Sequence, residues 1–130
     1  VSDARELSKR SMAAVEAHDR AAWLALFADD ALVQDPVGPS AFDPEGVGHK
    51  GPDAIAAFYD NVIAANQSIT FDIRQSFLCG DEVANVGVIR ITFEGGSAVE
   101  VDGVYTYRRT ADDKIASIRA FWEPDAIRSV

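Results

Sequence analysis

Two periodicities divide the chain. In the first half apolar residues recur at helical spacing. Leu7, Ser11, Ala14 and Val15 form one stripe with Met12 at its margin, behind a capping pattern of Ser2-Asp3 and Glu6. This predicts a helix from about Ala4 to His18. A second helix over Asp19 to Phe27 would bury Trp23, Leu26 and Phe27. A third, opened by Gly51-Pro52 and running to about Ala65, would bury Ile55, Phe58, Tyr59, Val62 and Ile63. From Ser68 the period drops to two. Ile69, Phe71 and Ile73 alternate with polar neighbours, a break falls at Cys79-Gly80-Asp81-Glu82, and Val83 to Phe93 forms the next strand. Gly95-Gly96 marks a hairpin. Val99 to Arg109 follows, with Val99, Val101, Gly103, Tyr105 and Tyr107 on one face and Asp102 and Val104 on the other. After a turn at Ala111-Asp112-Asp113-Lys114 comes a last strand, Ile115 to Trp122, with Ala116, Ile118, Ala120 and Trp122 sharing a face. Helices followed by a strand meander predict an α+β fold. Three N-terminal helices would pack on a strongly curved mixed or antiparallel sheet, a cone enclosing an apolar pocket. With no repeat or linker, residues 1–130 read as one domain.

Between the two regimes lies Leu26-Phe27-Ala28-Asp29-Asp30-Ala31-Leu32-Val33-Gln34-Asp35-Pro36-Val37-Gly38. Asp29-Asp30 end the helix, Ala31 to Gln34 run extended, and Pro36 keeps Asp35 out of the helical region. Val33 and Asp35 then share a face, which puts one acid on the apolar side of a strand. Desolvation there would raise its affinity for a proton, as suits a general base. The alternative from local features is a turn opener whose side chain caps its own backbone.

Pro39 to Lys50, carrying Phe42 and several glycines, reads as a loop, either a lid over the pocket or a surface insertion. His49, within it, has no partner at metal-ligand spacing and reads as solvent-facing, and His18 reads as a helix C-terminal residue. No metal site is predicted.

The net charge is −9 with a pI near 4.5, which argues against nucleic acid and anionic lipid as partners. Cys79 is the only cysteine, so no intramolecular disulfide or CxxC motif exists, and a reducing cytoplasm is expected. No apolar run approaches a membrane span, and the N-terminus lacks the apolar core of a signal peptide.

The run Ala25 to Gly38, with Ala54-Ile55-Ala56-Ala57-Phe58-Tyr59 and Lys114-Ile115-Ala116-Ser117-Ile118-Arg119-Ala120-Phe121-Trp122, resembles the bacterial ketosteroid isomerases of the cone-shaped nuclear-transport-factor-2-like superfamily. The resemblance implies an isomerase that needs no cofactor and moves a double bond into conjugation with a ketone, with Asp35 as the proton-shuttling base. It also implies a steroid or similar fused-ring ketone as ligand, and a homodimer. The family's first oxyanion donor, a tyrosine on the first helix, falls on Ser11. Its second, a protonated aspartate, falls on Gly103 or Tyr105 depending on the alignment, with Asp102 on the wrong face unless a bulge intervenes. Tyr59, Tyr105, Tyr107 and Ser11 are therefore the candidate replacement donors, and Phe27, Phe58, Gly103, Ile118 and Trp122 the candidate pocket walls. The same scaffold also hosts carriers without fast turnover and polyketide-cyclase-like acid–base enzymes. An epoxide-hydrolase relative would need an Asp–Arg–Asp set, for which Arg90 or Arg119 would supply the cation.

Overall fold

A computed structural model of the chain describes residues 2–130. Helix α1 spans Ala4–Glu16 and is capped by Asp3, whose carboxylate accepts the Glu6 N–H at 2.8 Å. Helix α2 is Arg20–Leu24, strand β1 Phe27–Gln34, strand β2 His49–Lys50 and helix α3 Gly51–Phe58. Strands β3 (Ser68–Cys79), β4 (Glu82–Thr92), β5 (Ala98–Arg109) and β6 (Ile115–Phe121) follow, and β7 (Arg128–Ser129) ends the chain. The sheet runs β2-β1-β6-β5-β4-β3, with β7 added beside β5. Only the β1–β6 pairing is parallel among the described strands, so the sheet is mixed.

The sheet curls around α1, which lies against β3, β4 and β5, while α3 covers β1. A bulge at Arg74 in β3 adds curvature opposite Gly87, where the backbone of Asp72 comes too close to leave room for any side chain. Leu7, Trp23, Val33, Ile55, Val83 and Ile115 are fully buried. Full burial of aliphatic side chains of this size stabilises by roughly 1.5–3 kcal/mol each. Asn85 is buried with them and stays satisfied by donating to the Ser8 hydroxyl at 3.1 Å.

Several predicted boundaries move. Helix α1 stops at Glu16 because His18 takes a left-handed conformation (φ 55°), its N–H bonding back to Val15 O at 3.1 Å. Helix α2 ends at Leu24, not Phe27, and β1 begins at Phe27, not Ala31. Sheet pairing wins there: the Ile115 N–H donates to Leu26 O at 2.8 Å and Phe27 pairs with Ile115, more than a five-residue helix of marginal intrinsic stability can offer. Helix α3 is regular only to Phe58, after which Tyr59–Ile63 widens into a π turn closed by Ala64 N–H to Tyr59 O at 2.8 Å. In β6 the expected alternation is broken by a bulge. Arg109 pairs with Ile115 but Arg108 with Ser117, so Ala116 is the extra residue and Ile115 enters the core.

Candidate active site

The cone encloses a cavity of about 500 Å³, of the size that takes drug-like ligands. Its walls are predominantly aliphatic and aromatic, with Asp35, Ser11, Tyr105, Tyr107, Asn61 and Asn66 among its polar lining.

Asp35 follows the last residue of β1, and the Asp35–Pro36 peptide is cis. Strand alternation puts its side chain on the face of Val33, which is 1% exposed. The carboxylate lies against the cavity and accepts a hydrogen bond from the Trp122 indole N–H at 2.6 Å. Burial raises its pKa above the ordinary 3.8; the Trp122 bond and the charge of His49 act in the opposite direction. Charging this acid is therefore costly, and the one hydrogen bond offsets part of the cost.

The two cavity tyrosines face the same carboxylate. Burial pushes both hydroxyls well above their usual 10, and the negative charge of Asp35 pushes them further. Tyr105 bends back along its own strand, its hydroxyl donating to Val101 O at 3.0 Å. Its proton is thereby spent. Tyr107 shares the cavity lining with Ser11, whose hydroxyl acts against burial and favours the ionised form. Ser11 is itself held by Trp23, whose indole N–H donates to Ser11 Oγ at 3.0 Å.

Of the residues expected at the site, Asp35, Ser11, Tyr105, Tyr107, Phe58, Ile118 and Trp122 do line the cavity. Three do not. Phe27 belongs to β1 and packs edge-on against Trp23, centroids 4.6 Å apart, on the side away from the cavity. Tyr59 is buried beside Trp23 at 5.5 Å, and the charges that act on it are Asp19, Arg20 and Asp60, so it is not a donor to the cavity. Gly103 makes no wall because the Tyr105 side chain covers it. No bulge at Gly103 turns Asp102 inward. The β4–β5 register is continuous through it, and Asp102 stays exposed, bound to Arg128.

His49 is not solvent-facing. It is half-buried with its ring 4.8 Å from that of Phe58. The segment from Pro39 to Lys50 is folded around Asp43, whose carboxylate accepts the N–H groups of Val47 and Gly48 at 3.2 and 2.8 Å. Only Ser40, Ala41 and Phe42 of it reach the cavity. Arg90 pairs with Glu100 and Arg119 donates to Gln34, so neither contributes to the cavity wall. Sequence reasoning missed Ile127, which the C-terminal segment carries to the cavity mouth without any periodic pattern to signal it.

Residues 9–118 match the SnoaL-like domain family. The chain belongs to that family. Its curved mixed sheet and helices are the nuclear-transport-factor-2-like fold of the SnoaL-like proteins. RV0760c from Mycobacterium tuberculosis, solved in complex with estradiol-17beta-hemisuccinate, is 41% identical, with 95% of this chain and 96% of that chain covered and a TM-score of 0.89. The Delta 5-3-ketosteroid isomerase from Mycobacterium sp. is 36% identical over 100% of both chains, with a TM-score of 0.93. A computationally designed 17-OHP binder is 37% identical, covering 98% of each chain at a TM-score of 0.91. No curated protein matches this chain. Within the SnoaL-like family the cavity thus has steroid-binding neighbours and an isomerase neighbour. Its own chemistry is one desolvated acid beside phenolic hydroxyls in an apolar chamber, a set suited to moving a proton on a ketone.

Proposed function

We propose that this protein is a cofactor-independent isomerase of steroid-like fused-ring ketones. Asp35 takes a proton from the carbon between the ketone and an isolated double bond, Tyr107 donates a hydrogen bond to the dienolate oxygen, and Asp35 returns the proton two carbons along. The product is the conjugated enone, with no net gain or loss of atoms. The pKa logic for such sites is known from ketosteroid isomerases. The observation that carries the reading is the Asp35 carboxylate on the wall of an apolar cavity, accepting a hydrogen bond from the Trp122 indole N–H at 2.6 Å. The test is ultraviolet detection of enone formation from 5-androstene-3,17-dione. Wild-type turnover that falls at least about a hundredfold in Asp35→Asn supports it, and equal rates in both proteins sink it.

A second reading is a carrier of the same ligands, favoured by the committed Tyr105 proton and by serine at position 11. Steroid binding that raises the melting temperature without any turnover would select it. A polyketide-cyclase-like reaction would use the same Asp35 and is separated by substrate alone.

Phe77 and Phe121, 56% and 41% exposed, support pairing of two copies in a homodimer, to be checked by sedimentation. No described helix is long and apolar enough to cross a membrane. The single free Cys79 supports action in a reducing cytoplasm, testable by cell fractionation.

A further inference from the structure

Two amides on the cavity wall have no part in the proton transfer. Phe58, Asn61, Val62, Ala65 and Asn66 line the cavity at the spacing of one helical face, continued from α3 through the π turn and past its end. Three of them are apolar, as an inward face should be; two are asparagines. Sheet register places them relative to the acid. Gln34 pairs with Arg119 and the Val37 N–H donates to Ala120 O, so Asp35 is level with Ala120, the partner of Tyr105. Asn66 precedes Gln67, whose N–H donates to Thr92 O, and Thr92 pairs with Ala98. Acid and amide thus sit toward opposite ends of β5, separated by the contour from Ala98 to Tyr105, roughly 20 Å. Tyr105 leans back along its strand onto Val101 O and Asn66 back along its helix onto Val62 O, which shortens the gap. Between them the lining is Phe71, Ile89 and Val101, in register across β3, β4 and β5.

Resting on that reading of the cavity, we propose that Asn66, with Asn61 on the same face, is a specificity site that hydrogen-bonds an uncharged oxygen, hydroxyl or ketone, at the end of the ligand remote from the reacting ketone. A side-chain amide offers two N–H donors and one carbonyl acceptor. Asn66 spends one donor on Val62 O at 2.8 Å; among the described residues its other N–H and its Oδ1 have no partner, and the Asn61 amide has none. The Val62 bond fixes the plane of the Asn66 amide, so less freedom is lost when a ligand is held. Asn66 is half-buried and Asn61 exposed, so water competes less at Asn66, which contributes more. Capping alone would account for the bond to Val62 O. It gives no reason for a second amide five residues earlier on the same cavity face. Among the described residues no Lys or Arg lines the cavity, so a carboxylate at this end would have no counter-charge, whereas a hydroxyl or ketone needs none.

The test uses three saturated steroids that cannot isomerise: 5α-androstane-3,17-dione, 17β-hydroxy-5α-androstan-3-one and 5α-androstan-3-one. They share the ring skeleton and the 3-ketone and differ only in the remote oxygen. Dissociation constants are measured by calorimetry, and the readout is the preference for an oxygenated over the deoxygenated ligand, a ratio that a general loss of folded protein does not move. That preference should fall about threefold to tenfold in Asn66→Ala, the worth of one neutral hydrogen bond, and about twofold in Asn61→Ala. Asn66→Ser should lose it equally, because its hydroxyl can still cap Val62 O but is too short to reach the ligand; it also stands in should Asn66→Ala not fold. Val62→Ala, which removes apolar wall, should weaken all three ligands alike. Asn66→Asp should separate the two oxygens, keeping the hydroxyl ligand, which can donate to a carboxylate, and losing the ketone, which cannot. A preference unchanged in the Asn66 variants overturns the site and leaves the proposed function standing, since enone formation through Asp35 does not depend on it. Wild type that binds none of the three steroids overturns the reading of the cavity and this site with it.

Discussion

The ring of Tyr105 lies directly over Gly103. A Cβ built on Gly103 would stand 2.9 Å from the Tyr105 hydroxyl oxygen, 3.0 Å from Cζ and 2.7 Å from the Phe121 carbonyl oxygen. The missing side chain at position 103 and the back-bent tyrosine two residues on are one packing solution.

Gly103→Ala should therefore displace the Tyr105 ring, break its bond to Val101 O and cost about 1–3 kcal/mol of stability, measured by urea unfolding. Gly103→Asp should not restore a ketosteroid-isomerase-like donor by itself. The tyrosine must first be cut back, so the Gly103→Asp, Tyr105→Val pair should be more stable than Gly103→Asp alone.

The pH dependence follows from Asp35. Its folded-state pKa is raised above 3.8 by burial, so the folded protein holds the proton more tightly than the unfolded chain. The penalty is absent below the unfolded pKa, grows as pH rises toward the folded one, and is complete above it. Asp35→Asn should accordingly gain stability at pH 7 relative to wild type and lose that advantage near pH 3. Denaturation midpoints across this range check it; an advantage independent of pH would contradict it. The acid limb of kcat/KM should likewise lie above the ordinary carboxylate range.

Trp122 and the charge of His49 hold that pKa down. Trp122→Phe keeps an aromatic wall but removes the 2.6 Å bond, so the acid limb should move to higher pH and kcat fall about tenfold through lost orientation of the base. His49→Gln should move the limb in the same direction, without the loss in kcat at its plateau.

Arg128 ties the C-terminal segment to β5, binding the carboxylate of Asp102 with both bonds at 3.0 Å and Glu100 at 3.0 Å. Next to it, Ile127 covers part of the cavity mouth. Arg128→Ala should leave thermal unfolding nearly unchanged, because the pairs are exposed. It should speed ligand dissociation in stopped-flow experiments, and in wild type salt should do the same.

Most of the architecture was legible in the chain. The stripe through Leu7, Ala14 and Val15 and the alternation through Val101, Tyr105 and Tyr107 mark which faces are buried, because side-chain direction along a helix or strand is a local consequence of backbone geometry. The same rule placed Asp35 on the face of Val33, and the β3–β4 break fell where Cys79-Gly80-Asp81-Glu82 placed it.

Periodicity could not decide competitions between distant segments. Residue pattern allowed Phe27 to end a helix; pairing with Ile115, 88 positions away, made it a strand. Alternation put Gly103, Tyr105 and Tyr107 on one face, but it did not show that the Tyr105 hydroxyl is spent on Val101 O. Tyr59 carried the right residue type on a suitable helix and was turned toward Asp19 and Arg20 instead. The sequence by itself determined most of the elements, their buried faces and the place of the acid; tertiary structure alone decided which partner each polar side chain meets. The physical reason is range. Backbone geometry repeats from neighbour to neighbour, whereas a hydrogen bond's direction is set by whichever donors and acceptors the fold brings within about 3 Å.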